Sequence, residues 1–553
     1  MKEILSTGVK YWHTIRFLRF VQIIGRFRHL VRRPRIDNSP AKAQRVISGN
    51  WIMPARRRQS MVKDKLFCFL NETHQLSSPD DWNNKNRTKL WLYNLHYFDD
   101  LCALDADQRV EWHRALISLW IKENPAGIGN GWEPYPTSLR IVNWIKWTLA
   151  GNSMEEHWLQ SLTLQTRYLY QNLETHIMGN HLFANAKALL FAGSFFDGNE
   201  AKIWRDKGRK LIEKELEEQL LNDGGNFELS TMYHMIFLED LLDLYNIIAV
   251  YKDPLFEGLE DRITLMFNWL SVMCHPDGEI SFFNDAAFGI TPSVIEVNEY
   301  RARILGDGKL TFSNEQFDEQ YLIDLPISGY SRVSMGDMVA IVDRAAIGPD
   351  YLPGHAHADT LSFELSIFNN RVVVNSGTSM YGSGTNRQQE RSTSAHSTVV
   401  IDGHDSSEVW AGFRVARRAK VFNSFKEELK DVVRLKACHN GYKRLPGAPV
   451  HCREWIFKKD SLTIFDKIIG AGSHKIESIL HLHPKVNVRE LKGNQAELEI
   501  DNNNIRVSID GNGELNNLKS YFHPEFGLSK DNRRLVFNSK GILPIEIITR
   551  ITW

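Results

Sequence analysis

The sequence predicts an α+β protein of two unlike halves, a helical array or (α/α) toroid followed by an antiparallel β-sandwich. Three observations predict it. From about residue 105 to 320, apolar residues recur at three- and four-residue steps. After about residue 325 the chain turns to short β-branched runs that alternate every second residue. No low-complexity stretch separates the two patterns, so a packed interface between the halves is expected, and clefts at such interfaces are where ligand sites concentrate. The 553 residues exceed one ordinary core. They divide as an N-terminal basic and aromatic extension (1–90), the helical toroid (91–325) and the sandwich (326–553).

In the extension, Arg16, Arg19, Arg26, Arg28, Arg32, Arg33 and Arg35 interleave with Phe17, Phe20, Ile23, Ile24 and Phe27. Two readings fit: an amphipathic helix lying on an anionic membrane surface, or a terminal helix packed on the protein, which is preferred. No apolar run of signal-peptide length and no small-residue cleavage site follow, and no segment is long and apolar enough to span a bilayer. A cytoplasmic protein, membrane-peripheral if the first reading holds, is therefore expected, with a periplasmic location as the alternative.

The helical half reads as amphipathic helices such as Val142-Ile145-Leu149 and Leu182-Ala186-Leu189-Leu190, separated by Asp197-Gly198-Asn199 and Asn222-Asp223-Gly224-Gly225. Three polar clusters interrupt it. Gly131 to Arg140 carries Trp132, Tyr135 and Arg140 ahead of a helix capped by Thr137 or Ser138. Asn180 and His181 sit where an apolar helix begins, so side chains and helix N-terminus can face one anionic group together. Glu228, Tyr233 and His234 precede another amphipathic helix.

In the second half, Val339 to Val342, Arg371 to Val374, Leu462 to Phe465 and Ala496 to Ile500 are strand-like, and Asn369-Asn370 and Asp501-Asn502-Asn503-Asn504 supply hairpin turns. Gly354 to Phe363 is the most informative run. It places His355, His357 and Asp359 at alternate positions before a strand over Leu361 to Ile367, a single polar row able to bind a metal or move protons. A second polar segment, Arg387 to His404, brings His396 to the start of a strand over Ser397 to Ile401.

Composition narrows the function classes. Lys+Arg and Asp+Glu are 67 each, which argues against a nucleic-acid partner. Fifteen Trp and 16 Tyr suit sugar stacking as well as helix packing. Cys68, Cys102, Cys274, Cys438 and Cys452 are scattered and odd in number, and read as reduced core residues.

Asn180-His181, Tyr233 and Gly354-His355-x-His357-x-Asp359 occur in the order and type seen in heparinase II/III-like and alginate-lyase-like polysaccharide lyases. The chain resembles that family over nearly its whole length, through Gly131 to Trp147, Asn284-Asp285, Asn375 to Tyr381, Arg391 to His396 and Trp410 to Arg414. It is most similar to the branch without secretion signals that accompanies bacterial surface-polysaccharide gene clusters. The resemblance implies a toroid coupled to a sandwich and a uronate-containing polysaccharide or oligosaccharide as partner. It also implies β-elimination: Asn180 neutralises the substrate carboxylate, aided by His181, while Tyr233 and His355 share the base and acid roles at C5 and the C4 oxygen. Tyr381 resembles a second tyrosine of the cleft. Arg387 and Arg391 are candidates for holding a carboxylate bidentately, and Trp132, Tyr135, Arg140 and His234 complete the expected substrate-binding set.

In zinc-containing members, two histidines and an aspartate hold the metal. The matching positions are His357, His396 and Asn375. Asparagine is a poor zinc ligand, so a metal-free site with no required cofactor is expected, with zinc held through Asp359 as the alternative. Competing functions are a uronate C5-epimerase, a glycoside hydrolase using Glu228, Glu239, Asp277, Glu279 or Asp285, and a non-catalytic glycan-binding protein stacking sugars on Trp132, Tyr135 and Trp410.

Overall fold

The computed structural model describes residues 2–31, 33–306, 308 and 321–553, so Arg32 and the predicted helical stretch over 309–320 lie outside the described residues. The helices are α1 (Lys2–Ile15), α2 (Phe20–Val31), α3 (Lys89–Tyr97), α4 (Val110–Glu123), α5 (Pro134–Leu149) and α6 (Glu156–Gln171). They continue as α7 (Gly179–Phe195), α8 (Asn199–Gln219), α9 (Thr231–Tyr251), α10 (Leu259–Met273), α11 (Val294–Leu305) and the short α12 (Thr385–Glu390). Nearly every residue of α7 and α9 is buried. Helices apolar all round belong inside, and α7 packs against α5, α8 and α9 while more polar helices close the (α/α) toroid around them. Helix α5 starts at Pro134, ahead of the expected Thr137 or Ser138 cap. Pro134 and Pro136 fix φ and have no N–H to leave unpaired, so they serve as first-turn residues; Thr137 and Ser138 instead donate to the Gly131 and Pro134 carbonyls.

Among the described residues the β half holds three antiparallel sheets of four or more strands, besides a two-stranded ribbon of Val409–Trp410 and Arg414–Val415. In the largest, Val421–Leu429, Val432–His439, Val450–Lys458 and Ser461–Ile469 run as a meander. Ile545–Thr552, Asn503–Asp510, Gln495–Ile500 and Asn487–Lys492 continue it. Strands Gly513–Glu525, Leu528–Ile542, Ser473–His481 and Val399–Ile401 form the second sheet. The third is Tyr321–Leu325, Tyr330–Met335, Met338–Asp343, Phe363–Ile367 and Asn370–Val373. Left-handed Asn369, Asp501 and Asn502 make the expected hairpin turns.

Sheet three explains how the halves meet. Its three middle strands are buried along their whole length, which requires cover on both faces. Val333, Phe363 and Leu365 join Trp455, Leu535 and Phe537 in the sandwich core. Tyr330 and Ile341 join Trp269, Met273 and Leu229 of the helical half.

Two expectations are corrected. The strand after the histidine run begins at Phe363, because Leu361 adopts a left-handed φ of 64° that ends the extended row. Cys438 and Cys452 form a disulfide: antiparallel register sets them opposite each other, with Cα atoms 4.0 Å apart, a relation their 14-residue separation conceals. Cys68, Cys102 and Cys274 are free.

Candidate active site

Positive-φ turns aim three segments at the seam between the halves. Met178 and Gly179 enter α7 with φ of 67° and 53°. A Cβ on Gly179 would lie 2.4 Å from Leu352 and 3.3 Å from Glu228 Oε1, so only glycine lets α7 start this close to the histidine loop. Ser230 caps α9. Its Oγ accepts the Tyr233 N–H (3.2 Å) and donates to the Asp285 carbonyl, which fixes Tyr233 in the first turn. Left-handed Asn284 staples the rest: its N–H donates to Asp359 Oδ2, its Nδ2 to the Leu229 carbonyl, and its Oδ1 accepts the His357 N–H.

Asp285 is the hub. It is fully buried and takes both terminal nitrogens of Arg387, Nη2 at 2.7 Å, together with His355 Nδ1 at 2.9 Å and His357 Nε2 at 2.8 Å. Burial alone would raise its pKa; Arg387 and the two imidazoles outweigh burial and hold it well below the usual carboxylate range. An ionised carboxylate only accepts, so His355 donates from Nδ1 and His357 from Nε2. That leaves His355 Nε2 with a free lone pair in the neutral ring. His355 is the part of the cluster that reaches the cleft, with 14% of its side chain exposed against 0–1% for Arg387, His357 and Asp285.

Tyr233 stacks on the His355 ring at 3.8 Å, and its hydroxyl lies 2.9 Å from Tyr381 Oη. Burial, with Asp285 nearby and, for Tyr233, Tyr381 beside it, pushes both phenols well above 10, so each stays neutral and carries its proton. Exposed Phe413 stands 5.3 Å from the Tyr381 ring at the cleft mouth. On the opposite wall, half-buried Asn180 donates its backbone N–H to Glu228. Glu228 is raised by burial, a shift His355 and His181 partly offset, and its Oε2 lies 3.7 Å from His355 Nε2 without a hydrogen-bond partner. His181 stacks on Tyr135 at 4.4 Å and donates from Nδ1 to Glu174 (3.0 Å). Burial disfavours its cation, but Glu174 outweighs burial and raises the pKa. A chain of contacts thus runs Tyr135, His181, Asn180, Glu228, His355, Tyr233, Tyr381.

Five expected substrate contacts are corrected. Trp132 is buried against Trp120 and Tyr168, its Nε1 donating to the Asn124 carbonyl. Arg140 is fully buried over Trp120 and donates to Gln165 and the His96 carbonyl. His234 stacks on Trp269 and bonds the Met266 carbonyl. Arg387 is spent on Asp285. Arg391 is buried with Nε and Nη2 on the Ala356 carbonyl, holding the histidine loop. Apart from Arg391 Nη1, which is buried without a hydrogen-bond partner, these side chains are satisfied inside the protein and do not reach the cleft.

The residues expected to hold zinc do not fit it. His357 Nδ1 faces His396 Nε2 at 3.2 Å, but Asn375 donates from Nδ2 to the Phe282 carbonyl and accepts the Ser397 N–H at Oδ1. Asp359 is turned onto the Asn284 N–H, and burial pushes it up to about 7. Among the described residues no group of three or more His, Cys, Asp or Glu is disposed to hold a metal. Of the hydrolase acids, Glu239 pairs with Arg57, Asp277 with Arg371 and Asp285 with Arg387, while Glu228 and Asp285 both adjoin His355, Asp285 being spent on Arg387 and the two imidazoles.

Residues 103–304 match the family profile described as heparinase II/III N-terminus, and residues 319–553 the one described as heparinase II/III-like, C-terminal. The chain belongs to the heparinase II/III-like family. Heparin-sulfate lyase from Bacteroides stercoris is 26% identical over 348 residues, covering 54% of this chain and 50% of that one. Heparin-sulfate lyase from Pedobacter heparinus is 26% identical over 326 residues, 52% and 47% of the two chains. The matches thus span about half the length of these curated relatives. Among solved structures, a heparinase III has the same fold with a TM-score of 0.68 at 18% identity, covering 85% of this chain and 79% of its own. Heparan sulfate lyase HepC from Pedobacter heparinus gives 0.58 at 18% identity, covering 96% and 87%.

Proposed function

We propose that this family member is a polysaccharide lyase that cleaves a uronic-acid-containing glycan by β-elimination. The observation that carries the proposal is the pairing of a histidine whose free Nε2 faces the cleft with a neutral tyrosine stacked 3.8 Å away. Asn180 and the cation-favouring His181 receive the uronate carboxylate and take up the negative charge that builds on it. His355 Nε2 removes the C5 proton, while Asp285 stabilises the imidazolium that results. The C5–H electron pair becomes the C4=C5 double bond, the C4–O bond breaks, and Tyr233 Oη gives its proton to the departing oxygen. The cycle closes when His355 releases the C5 proton to solvent and the hydrogen-bonded Tyr233–Tyr381 pair takes one back from solvent.

The names of the relatives point to heparan-type glycans as the first substrates to try. The test is incubation with a panel of uronate glycans in deuterated buffer. New ultraviolet absorption from a conjugated double bond, abolished in His355→Asn, is the expected result. Deuterium at C5 with chain length unchanged would establish a C5-epimerase instead, and binding without either signal would leave a glycan-binding protein.

A further inference from the structure

Helix α2 is built inside out. Its buried residues are Gln22 and Gly25, while Phe20, Phe27 and Leu30 are 74%, 69% and 83% exposed. Polar contacts hold it down. Gln22 Nε2 donates to the Tyr351 carbonyl (3.2 Å), and Arg19 lies 3.7 Å over the Tyr351 ring while pairing with Glu218. Gly25 backs onto His176 so closely that a Cβ would sit 2.8 Å from the His176 Cβ, and His29 stacks on the same ring at 4.5 Å. A helix that only capped the protein would turn its apolar stripe inward. Here the stripe is turned to solvent.

The stripe has a definite geometry. At 3.6 residues per turn, Phe20, Ile23, Phe27, Leu30 and Val31 fall within an arc of about 100°. Arg26 and Arg28 flank that arc on either side, and both are exposed. From Ile4 to Ile36 the sequence carries Lys10 and seven arginines and no Asp or Glu. A soluble protein partner would not require an acid-free segment around an aromatic stripe. A bilayer with anionic headgroups does, because apolar side chains enter the acyl boundary while flanking cations meet phosphate.

We infer that α2 docks the protein on an anionic lipid surface. Its anchor points set the consequence. Tyr351 lies four residues before His355, and His176 lies four before Asn180, so the helix packs on the two segments that lead into the site. Docked this way, the cleft opens beside the membrane, where a glycan attached to lipid would present its chain. Binding is independent of the proposed chemistry.

The test is co-sedimentation of the full chain with phosphatidylcholine vesicles, with and without phosphatidylglycerol. Binding to the phosphatidylglycerol vesicles alone, weakened by high salt, is expected. Phe27→Asp/Leu30→Asp should abolish it. Arg26→Glu/Arg28→Glu should weaken it by at least roughly 25-fold, from about fivefold per arginine. Melting temperature and turnover of short soluble substrate should stay at parent values in both variants, because none of the four side chains is buried. Absence of binding to phosphatidylglycerol vesicles, or parent-like binding by Phe27→Asp/Leu30→Asp, would overturn the inference. So would a dimer in sedimentation equilibrium that the same variant dissolves without any vesicle binding, since a second copy would then cover the stripe.

Discussion

Two buried clusters, one at the seam between the halves and one inside the β half, are made to nearly the same plan. In one, Asp285 accepts a bidentate Arg387 and His357 Nε2, and His357 Nδ1 faces His396 at 3.2 Å. In the other, Asp466 accepts a bidentate Arg453 and His451 Nε2 (2.7 Å), and His451 Nδ1 faces His439 at 3.3 Å. Each carboxylate is pulled down, against burial, by its arginine and imidazole partners. The difference is one residue. Asp285 also holds His355, whose ring opens to the cleft, whereas no side chain of the Asp466 cluster is more than 1% exposed. Charge networks of this kind are structural by default, and chemistry arises where one member keeps a free nitrogen at a solvent-accessible edge. The two clusters also lean on each other, since Arg453 Nη1 donates to the Leu361 and Ser397 carbonyls that flank His357 and His396.

That comparison can be broken by mutation. His355→Asn removes the open nitrogen and should lower turnover by on the order of a hundredfold or more, the usual worth of a proton-transfer group. Its melting temperature should change little. Asp466→Asn should do the reverse. It strands a buried Arg453, which costs about 3–5 kcal/mol, while turnover per folded molecule at low temperature stays within a few-fold of the parent. Asp285→Asn should lose both. Denaturant midpoints measured beside initial rates check all three, and a catalytically dead but stable Asp466→Asn would erase the distinction.

Acid sharpens the same point from the stability side. Burial lowers His96 and His234 to about 3 and His481 to about 4, from the usual 6.5 of an exposed imidazole. Below pH 6.5 the unfolded chain binds protons that these rings refuse. Stability is therefore complete above that pH and falls as acid approaches 4, by about 1.4 kcal/mol per group per pH unit. Melting temperature should be flat above neutrality and drop steeply between pH 6.5 and 4. The smallest expected effect is that of a chelator: with Asn375 spent on Phe282 and Ser397, EDTA should leave the melting temperature unchanged. Stoichiometric zinc by elemental analysis would contradict this and make His357 and His396 ligands.

The change from three-and-four spacing to alternation was enough to read a helical array or toroid followed by a sandwich, and Asn180 and Tyr233 were legible as helix-start residues; His355 read as the start of a strand that in fact begins at Phe363. Other features were hidden for physical reasons. Arg387 looked like a free carboxylate clamp because its partner, Asp285, lies 102 residues away and only tertiary packing joins them. Trp132 and Arg140 carry surface-type chemistry but sit in a core that the helical pattern does not delimit. Glu228 was legible as a polar residue ahead of a helix and as one of the hydrolase acids, but not as a neighbour of His355. Its place against His355 depends on left-handed turns at Leu229 and Asn284, which no local signal announces. The disulfide depended on strand register.

The most direct measurement is the turnover of Tyr233→Phe on a uronate glycan, with a melting curve of the same preparation. The substitution deletes one hydroxyl that bonds Tyr381, worth about 1 kcal/mol if its role is structural. Turnover lower by on the order of a hundredfold with the fold intact is the predicted result. Turnover comparable to the parent would contradict it and return Tyr233 to a packing role.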